Sequence, residues 1–263
     1  MNFYKTNHEL MVLDARNMDS IADESVDLVV TSPPYPMIQM WDRLYSSFSF
    51  DIKEALHRED GELAFNLIHK ELDKVWNGLY RILKPGSFAC INIGDATRTI
   101  KKKFRLFSNH SRIISSFNAI GFDSMPTILW RKQTNAPNKF MGSGMLPAGA
   151  YVTLEHEYIL VFRRGNKKEF KTREQKKRRM ESAYFWEERN MWFSDIWDFK
   201  GIRQKANHIN LQGRSAAFPL ELAFRLVNMY SLQGDLVIDP FVGIGTTVFA
   251  CIACCRNSIG IDI

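Results

Sequence analysis

An α/β fold on a mostly parallel central sheet, with an antiparallel hairpin at its edge, is predicted by three observations. Short apolar runs alternate with segments of helical periodicity, the arrangement that gives parallel strands joined by crossover helices. Near the end of the chain, Val237-Ile238-Asp239-Pro240-Phe241-Val242-Gly243-Ile244-Gly245-Thr246-Thr247 carries an apolar strand into a glycine-bearing turn. Far upstream, a second strand ends in Thr31-Ser32-Pro33-Pro34-Tyr35. A strand followed by Gly-x-Gly is common to many nucleotide-binding folds, so neither pattern alone is decisive.

Each element follows from local pattern. Leu10-Met11-Val12-Leu13 is a short strand running into Asp14, and Val26-Asp27-Leu28-Val29-Val30 is a second. Pro33-Pro34 must end the latter, because proline offers no N–H to a strand ladder. From Leu63 to Leu83, the residues Leu67, Ile68, Leu72, Val75 and Leu79 recur at helical spacing until Lys84-Pro85-Gly86 stops the helix. Phe88 to Ile93 is a buried strand, and a helix around Ile113 to Phe117 closes at Gly121. Thr127 to Trp130 and Glu157 to Phe162 form the edge hairpin, joined across a Gly- and Pro-rich loop from Thr134 to Gly149. Phe218 to Val227 is a helix with Pro219 in its first turn. The Asp239 strand, a helix through Cys255 and a last strand from Ser258 to Asp262 complete the order. A single domain over 1–263 is expected, holding a recognition region and basic insert at about 133–200.

Composition narrows the class. A chain of 263 residues that is 45% hydrophobic can bury one sizeable core. It has no apolar run of about eighteen residues and no basic-then-apolar leader, so a cytoplasmic protein with no membrane partner is expected. Cys251, Cys254 and Cys255 crowd one segment without a second Cys or His pair at zinc spacing, which reads as buried thiols and no metal site. The net charge of +6 suits a polyanionic partner. Lys101, Lys102 and Lys103 form one basic cluster. A second spans Arg163 to Arg179 and includes Lys167, Lys168, Lys176, Lys177, Arg178 and Arg179. The second cluster fits a solvated helix or a set of phosphate contacts equally well. Tyr184-Phe185-Trp186 and Trp192-Phe193 follow it and add stacking surfaces. Lys132 opens the window whose Arg, Lys, Asn and Gln side chains are of the kind that read base edges.

The Asp239 turn departs from a dinucleotide site, where G-x-G-x-x-G brings backbone close to a pyrophosphate. Here a carboxylate precedes the turn, and Thr246-Thr247 stands where the third glycine would approach. An acid suits a ligand that carries an ammonium group and, close by, a sulfonium. Gly243 and Gly245 let the chain pass near it. About twenty residues on, Asp262 ends the next strand, where α/β nucleotide folds place an acid on ribose hydroxyls.

The two strand ends, in this order, resemble the β-class DNA amino-methyltransferases over nearly the whole chain. The motif D-P-F-x-G-x-G-T-T, here Asp239 to Thr247, resembles that family's cofactor site. The resemblance implies a Rossmann-like methyltransferase fold that binds S-adenosyl-L-methionine, with Thr31, Asp239, Pro240, Phe241, Gly243, Gly245, Thr246, Thr247 and Asp262 around it. It also places Phe218, in the helix that precedes the motif and lines the methionine end, and Asp14, on the adenine side, in the cofactor site. Ser32, Pro33, Pro34 and Tyr35 are then the catalytic corner. An exocyclic amine is a poor nucleophile because its lone pair is delocalised into the ring. Two acceptors, Ser32 Oγ and the Pro33 carbonyl, would let it pyramidalise while Tyr35 stacks on the base. That geometry requires the nucleotide to be flipped from the duplex. Carbon-5 chemistry would need a cysteine beside proline, and none of Cys90, Cys251, Cys254 and Cys255 has one.

Ser at the first motif position implies cytosine N4 in double-stranded DNA, with adenine N6 as the alternative, and modification alongside a cognate restriction endonuclease as the role. Pro36 to Asp51, with Trp41, Tyr45, Phe48 and Phe50, reads equally as a flap over the base or as local core. The resemblance breaks off at Ile263, where related enzymes continue with a helix. N-terminal residues, a partner chain or a homodimer are expected in its place, unless the chain is a shortened, catalytically weak DNA-binding subunit. A methyltransferase of protein or RNA is a further alternative.

Overall fold

Alternation along the strands decides how the core is divided. Val29, Ala89, Ile91, Leu160 and Ile238 enter one buried cluster, whereas Leu28, Val30, Cys90, Ile159, Val161 and Val237 enter another. Because successive strand residues face opposite sides, a sheet built from these runs must be covered on both faces. The structure, a computed structural model, describes residues 5–132, 141–142, 146–201 and 217–263. Most of the expected loop of 134–149 therefore lies outside the described residues.

The chain begins with β1 (His8–Val12) and β2 (Val26–Thr31), then passes a 3-10 turn at Gln39–Trp41 into α1 (Asp42–Phe48), α2 (Phe50–His57) and α3 (Gly61–Ile82). Next come β3 (Leu83–Ile93), the hairpin β4 (Ala96–Ile100) and β5 (Lys103–Phe107), α4 (Asn109–Ile120), β6 (Phe122–Ser124) and β7 (Ile128–Arg131). After them lie β8 (Met141–Gly142), β9 (Ala150–Tyr151), β10 (His156–Arg164), α5 (Arg173–Glu181), α6 (Trp186–Trp192) and β11 (Ile196–Asp198). The chain closes with α7 (Leu220–Tyr230), β12 (Leu236–Asp239), α8 (Thr246–Ala253) and β13 (Asn257–Asp262).

Among the described residues, the main sheet has the order β1-β13-β12-β2-β3-β10-β7-β11, with β6 also paired to β10. Its first five strands are parallel, and β10 runs antiparallel to β3, β7 and β6. One face is covered by α3 and α4 through Leu72, Val75, Trp76, Leu79, Ile113 and Phe117. The other is covered by α7 and α8 through Leu222, Ala223, Leu226, Val227, Ala250 and Cys251. A third cluster joins α1, α2 and the first half of α3 to the β4–β5 hairpin, and includes Tyr45, Ile52, Ile68 and Phe107.

The expected antiparallel pair is present as β7 and β10, but β11 pairs outside β7 and forms the edge. Three residues give too short a run to declare β11 in sequence. The β4–β5 hairpin was also not anticipated. Its two-residue turn holds Lys101 at φ 47° and Lys102 at φ 63°, positions where Gly or Asn is the usual signal. Proline at the start of α7 sits at the N-cap, Pro219, one residue before the first helical position.

The connections create a switch point. From β2 the chain crosses to β3 on one side, and from β12 it crosses through α8 to β13 on the other, although β2 and β12 are neighbours. Ligand crevices in open α/β sheets form outside the carboxyl ends of strands at such a point. At the opposite, amino ends of these strands, the basic insert is tied down. Asp27 is buried and takes Lys84 Nζ at 2.7 Å and Lys168 Nζ at 3.2 Å, while Arg178 pairs with buried Asp235. Removing the Asp27 carboxylate should release this insert. Asp27→Ala is expected to cost about 1–2 kcal/mol of stability and to speed proteolysis within 165–181; unchanged cleavage there would show that the anchor lies elsewhere.

Candidate active site

The site is assembled at the carboxyl ends of β2 and β12, which a single buried carboxylate ties together. Asp239 is 2% exposed. Its Oδ1 accepts from Thr31 Oγ1 at 2.6 Å and from the Phe241 amide at 3.0 Å, and its Oδ2 accepts from Thr247 Oγ1 at 2.6 Å. Thr31 ends β2 and Thr247 lies in the first turn of α8, so the three side chains fix the strand ends and the helix start relative to one another. Gly243 at φ 50° and Gly245 at φ 85° make the turn between them, in a region that favours glycine.

A cavity of about 610 Å³ opens beside this turn, within the range of small-ligand sites. Ser32, Pro33, Pro34, Tyr35, Asp14, Phe218, Asp239, Pro240, Phe241, Gly243, Thr246 and Asp262 all line it. The expected catalytic and cofactor sets, far apart in sequence, thus share one cavity. Thr31 and Thr247 are buried behind it and act on Asp239. Asp14 is held by Arg16, which also pairs with Glu71 of α3 and lies 4.0 Å over the Phe48 ring. The Arg16 hydrogen bonds keep the Asp14 carboxyl below its ordinary range.

The segment from Pro36 to Asp51 is a helical wall of this cavity. Trp41 and Phe48 line it, Tyr45 is buried with its hydroxyl donating to the Pro34 carbonyl, and Phe50 is exposed. Tyr45 is therefore local core that also steadies the Ser32–Tyr35 corner.

Several lining residues escaped the sequence reading. Glu157 accepts from Tyr35 Oη at 2.8 Å, from Asn92 Nδ2 at 2.8 Å and from Lys132 Nζ at 2.9 Å. Asn92 also donates to Tyr35 Oη at 2.8 Å, and Ser32 Oγ donates to the same oxygen at 3.2 Å. The available signal was a polar residue within or bordering an apolar run, Asn92 inside Phe88–Ile93 and Glu157 just before Tyr158–Phe162. Lys132, expected to meet DNA, is placed inside the cavity by its bond to Glu157. The other expected DNA residues are not brought to the site. Lys168 and Arg178 spend their charge on Asp27 and Asp235 at the amino ends of the strands, and Lys167, Lys176, Lys177 and Arg179 belong to the same insert.

The residues present fit a cationic ligand. Burial pushes Asp239 up to about 6, although three donors favour its charged form. An anion so poorly solvated is a place for a bound positive group. The cavity also has acids at both Asp14 and Asp262. Fold and site together define a methyltransferase that uses S-adenosyl-L-methionine.

The sequence model for DNA methylases matches residues 26–263. The chain is 55% identical to the type II methyltransferase M.MthZI of Methanothermobacter thermautotrophicus over 98% of its own length and 74% of the relative's. It is 52% identical to M.MjaI of Methanocaldococcus jannaschii, covering 98% and 88%. The Thermus thermophilus protein TTHA0409, classed with DNA modification methylases and solved with S-adenosyl-L-methionine, superposes with a TM-score of 0.74 at 32% identity, covering 97% of this chain and 89% of that one. PvuII DNA methyltransferase, cytosine-N4-specific, shares the fold with a TM-score of 0.62 at 16% identity, covering 98% and 82%. The chain belongs to the DNA methylase family of amino-methyltransferases.

The Asp239 environment yields a pH dependence. Between about 4 and about 6 the folded protein holds a proton that the unfolded chain has lost. In the cofactor-free protein, the Asp239 contribution to stability should therefore fall as pH rises through that window, by roughly 2–3 kcal/mol. Urea unfolding of wild type against Asp239→Asn measures it: the difference between the two should track this window. Cofactor affinity should improve as pH rises through about 6 in wild type only.

Proposed function

We propose that this protein methylates the N4 amino group of cytosine flipped out of duplex DNA, as the modification enzyme paired with a restriction endonuclease. The carrying observation is Ser32, with Pro33 and Tyr35, lining the same cavity as the Asp239 turn. Ser32 Oγ and the Pro33 carbonyl would accept from the amine, and Tyr35 would stack on the base. Asp239, Asp262, Asp14 and Phe218 would hold the cofactor. When bound, the cofactor supplies an electrophilic methyl on a sulfonium. Adenine N6 is the second reading, because the family includes both chemistries. Duplex DNA would meet the carboxyl ends of the strands. Lys132 lies there, and the β4–β5 hairpin with Lys101, Lys102 and Lys103 leaves from that end of β3. A cytoplasmic location suits this role, and among the described residues no helix is long and apolar enough to cross a membrane. A second copy or partner chain would cover exposed Leu10, Val12, Phe249 and Ile252.

Transfer of labelled methyl from S-adenosyl-L-methionine to mixed-sequence duplex DNA, followed by nucleoside analysis, tests the assignment: 4-methylcytosine is expected, and 6-methyladenine would move it to the second reading. Ser32→Ala should lower turnover while leaving cofactor affinity nearly unchanged. A Lys101→Ala/Lys102→Ala/Lys103→Ala variant should weaken DNA binding and flatten its salt dependence by about two to three units of slope. Lys176→Ala/Lys177→Ala/Arg179→Ala, at the far end, should change it little; the reverse result would put the duplex on the basic insert.

A further inference from the structure

The polar chain behind Ser32 has only one consistent direction. A carboxylate can only accept, so the 2.8 Å bond between Tyr35 and Glu157 Oε2 is donated by the tyrosine. Burial, with Glu157 alongside, pushes the Tyr35 hydroxyl well above its ordinary range, so it keeps this proton. Asn92 Nδ2 faces both Tyr35 Oη and Glu157 Oε2, each at 2.8 Å, and the carboxylate fixes that amide as the donor end. Tyr35 Oη, having given its own hydrogen to Glu157, accepts from Asn92 and from Ser32 Oγ at 3.2 Å. The Ser32 hydrogen is thereby committed to Tyr35, and only lone pairs remain for a group that enters. Lys132 Nζ takes Glu157 Oε1 at 2.9 Å, which leaves Oε2 to Tyr35 and Asn92. Asn92 Oδ1 is buried and finds no partner among the described residues.

We propose that Glu157, acting through Tyr35, fixes Ser32 as a hydrogen-bond acceptor toward the target amine and receives the proton that the amine loses. This rests on reading the Ser32 corner as the amino-transfer site. As the nitrogen lone pair forms the N–C bond, the C–S bond breaks and its electron pair stays on sulfur. The nitrogen then carries one proton too many. That proton passes to Ser32 Oγ, the serine proton passes to Tyr35 Oη, and the tyrosine proton passes to Glu157 Oε2, leaving Ser32 and Tyr35 neutral and Glu157 a carboxylic acid. Solvent later takes that proton and resets the chain. Glu157 touches neither reacting atom, so it is a positioning residue with a proton-accepting end.

Single-turnover methyl transfer by the full chain to DNA tests the relay, with cofactor binding by each variant checking that its fold is kept. Glu157→Gln preserves shape and removes the proton acceptor; its transfer rate should fall about 100-fold, the low end for acid–base assistance. Its affinities for cofactor and DNA should change less than about twofold. Tyr35→Phe keeps the stacking ring, cuts the same chain and should lose a similar factor. The double variant should be no slower than the slower single variant, because both substitutions interrupt one path. Glu157→Asp, which keeps a carboxylate, should recover part of the rate. A wild-type rate in Glu157→Gln, losses that multiply in the double variant, or a loss confined to affinity would each overturn the relay. If the wild-type protein transferred no methyl to DNA, the amino-transfer reading itself would fail and the relay with it.

Discussion

The whole site hangs on one buried carboxylate. Asp239 accepts from Thr31 at the end of β2, from Thr247 at the start of α8 and from the backbone of its own turn. Neutral partners satisfy it without neutralising it, so the geometry is fixed while the charge remains uncompensated. The same contacts that align the two strand ends also leave an electrostatic need that a cationic ligand meets. Structure and ligand preference therefore share one cause.

The sheet separates two kinds of charge by its polarity. At the carboxyl ends, carboxylates face the cavity or stand beside it, and Lys132 is matched to Glu157. At the amino ends, Asp27 and Asp235 are buried and draw in Lys84, Lys168 and Arg178, which fasten the insert. Much of the conspicuous positive charge is thus anchorage. Exposed lysines at the β4–β5 turn, though fewer, belong to a hairpin that leaves the carboxyl end of β3.

The Ser32 corner gains its direction from outside itself. Ser32 is chemically able to donate or accept, and a free serine would do both. The route through Tyr35 to Glu157 removes that ambiguity, and Asn92 and Lys132 hold the end of the route in place. Tyr45, from the neighbouring helix, occupies the Pro34 carbonyl.

The sequence by itself determined the elements whose signals are local. Near-continuous apolar runs at Val26–Val30 and Phe88–Ile93, the helical spacing of Leu72, Val75 and Leu79, and the glycines of the Asp239 turn each follow from short-range sterics and burial. The turns that end β2 and β12 were legible for the same reason, since proline and glycine punctuate the chain where it must turn. Charge was not legible in this way. Whether a lysine faces solvent, phosphate or a buried carboxylate depends on residues far away in the chain. Lys168 finds Asp27 across 141 positions and Glu157 finds Tyr35 across 122. Only the tertiary structure could decide those pairings, because Coulombic and hydrogen-bond partners are set by proximity in space, whereas the periodicities that encode strands and helices are set by proximity along the chain.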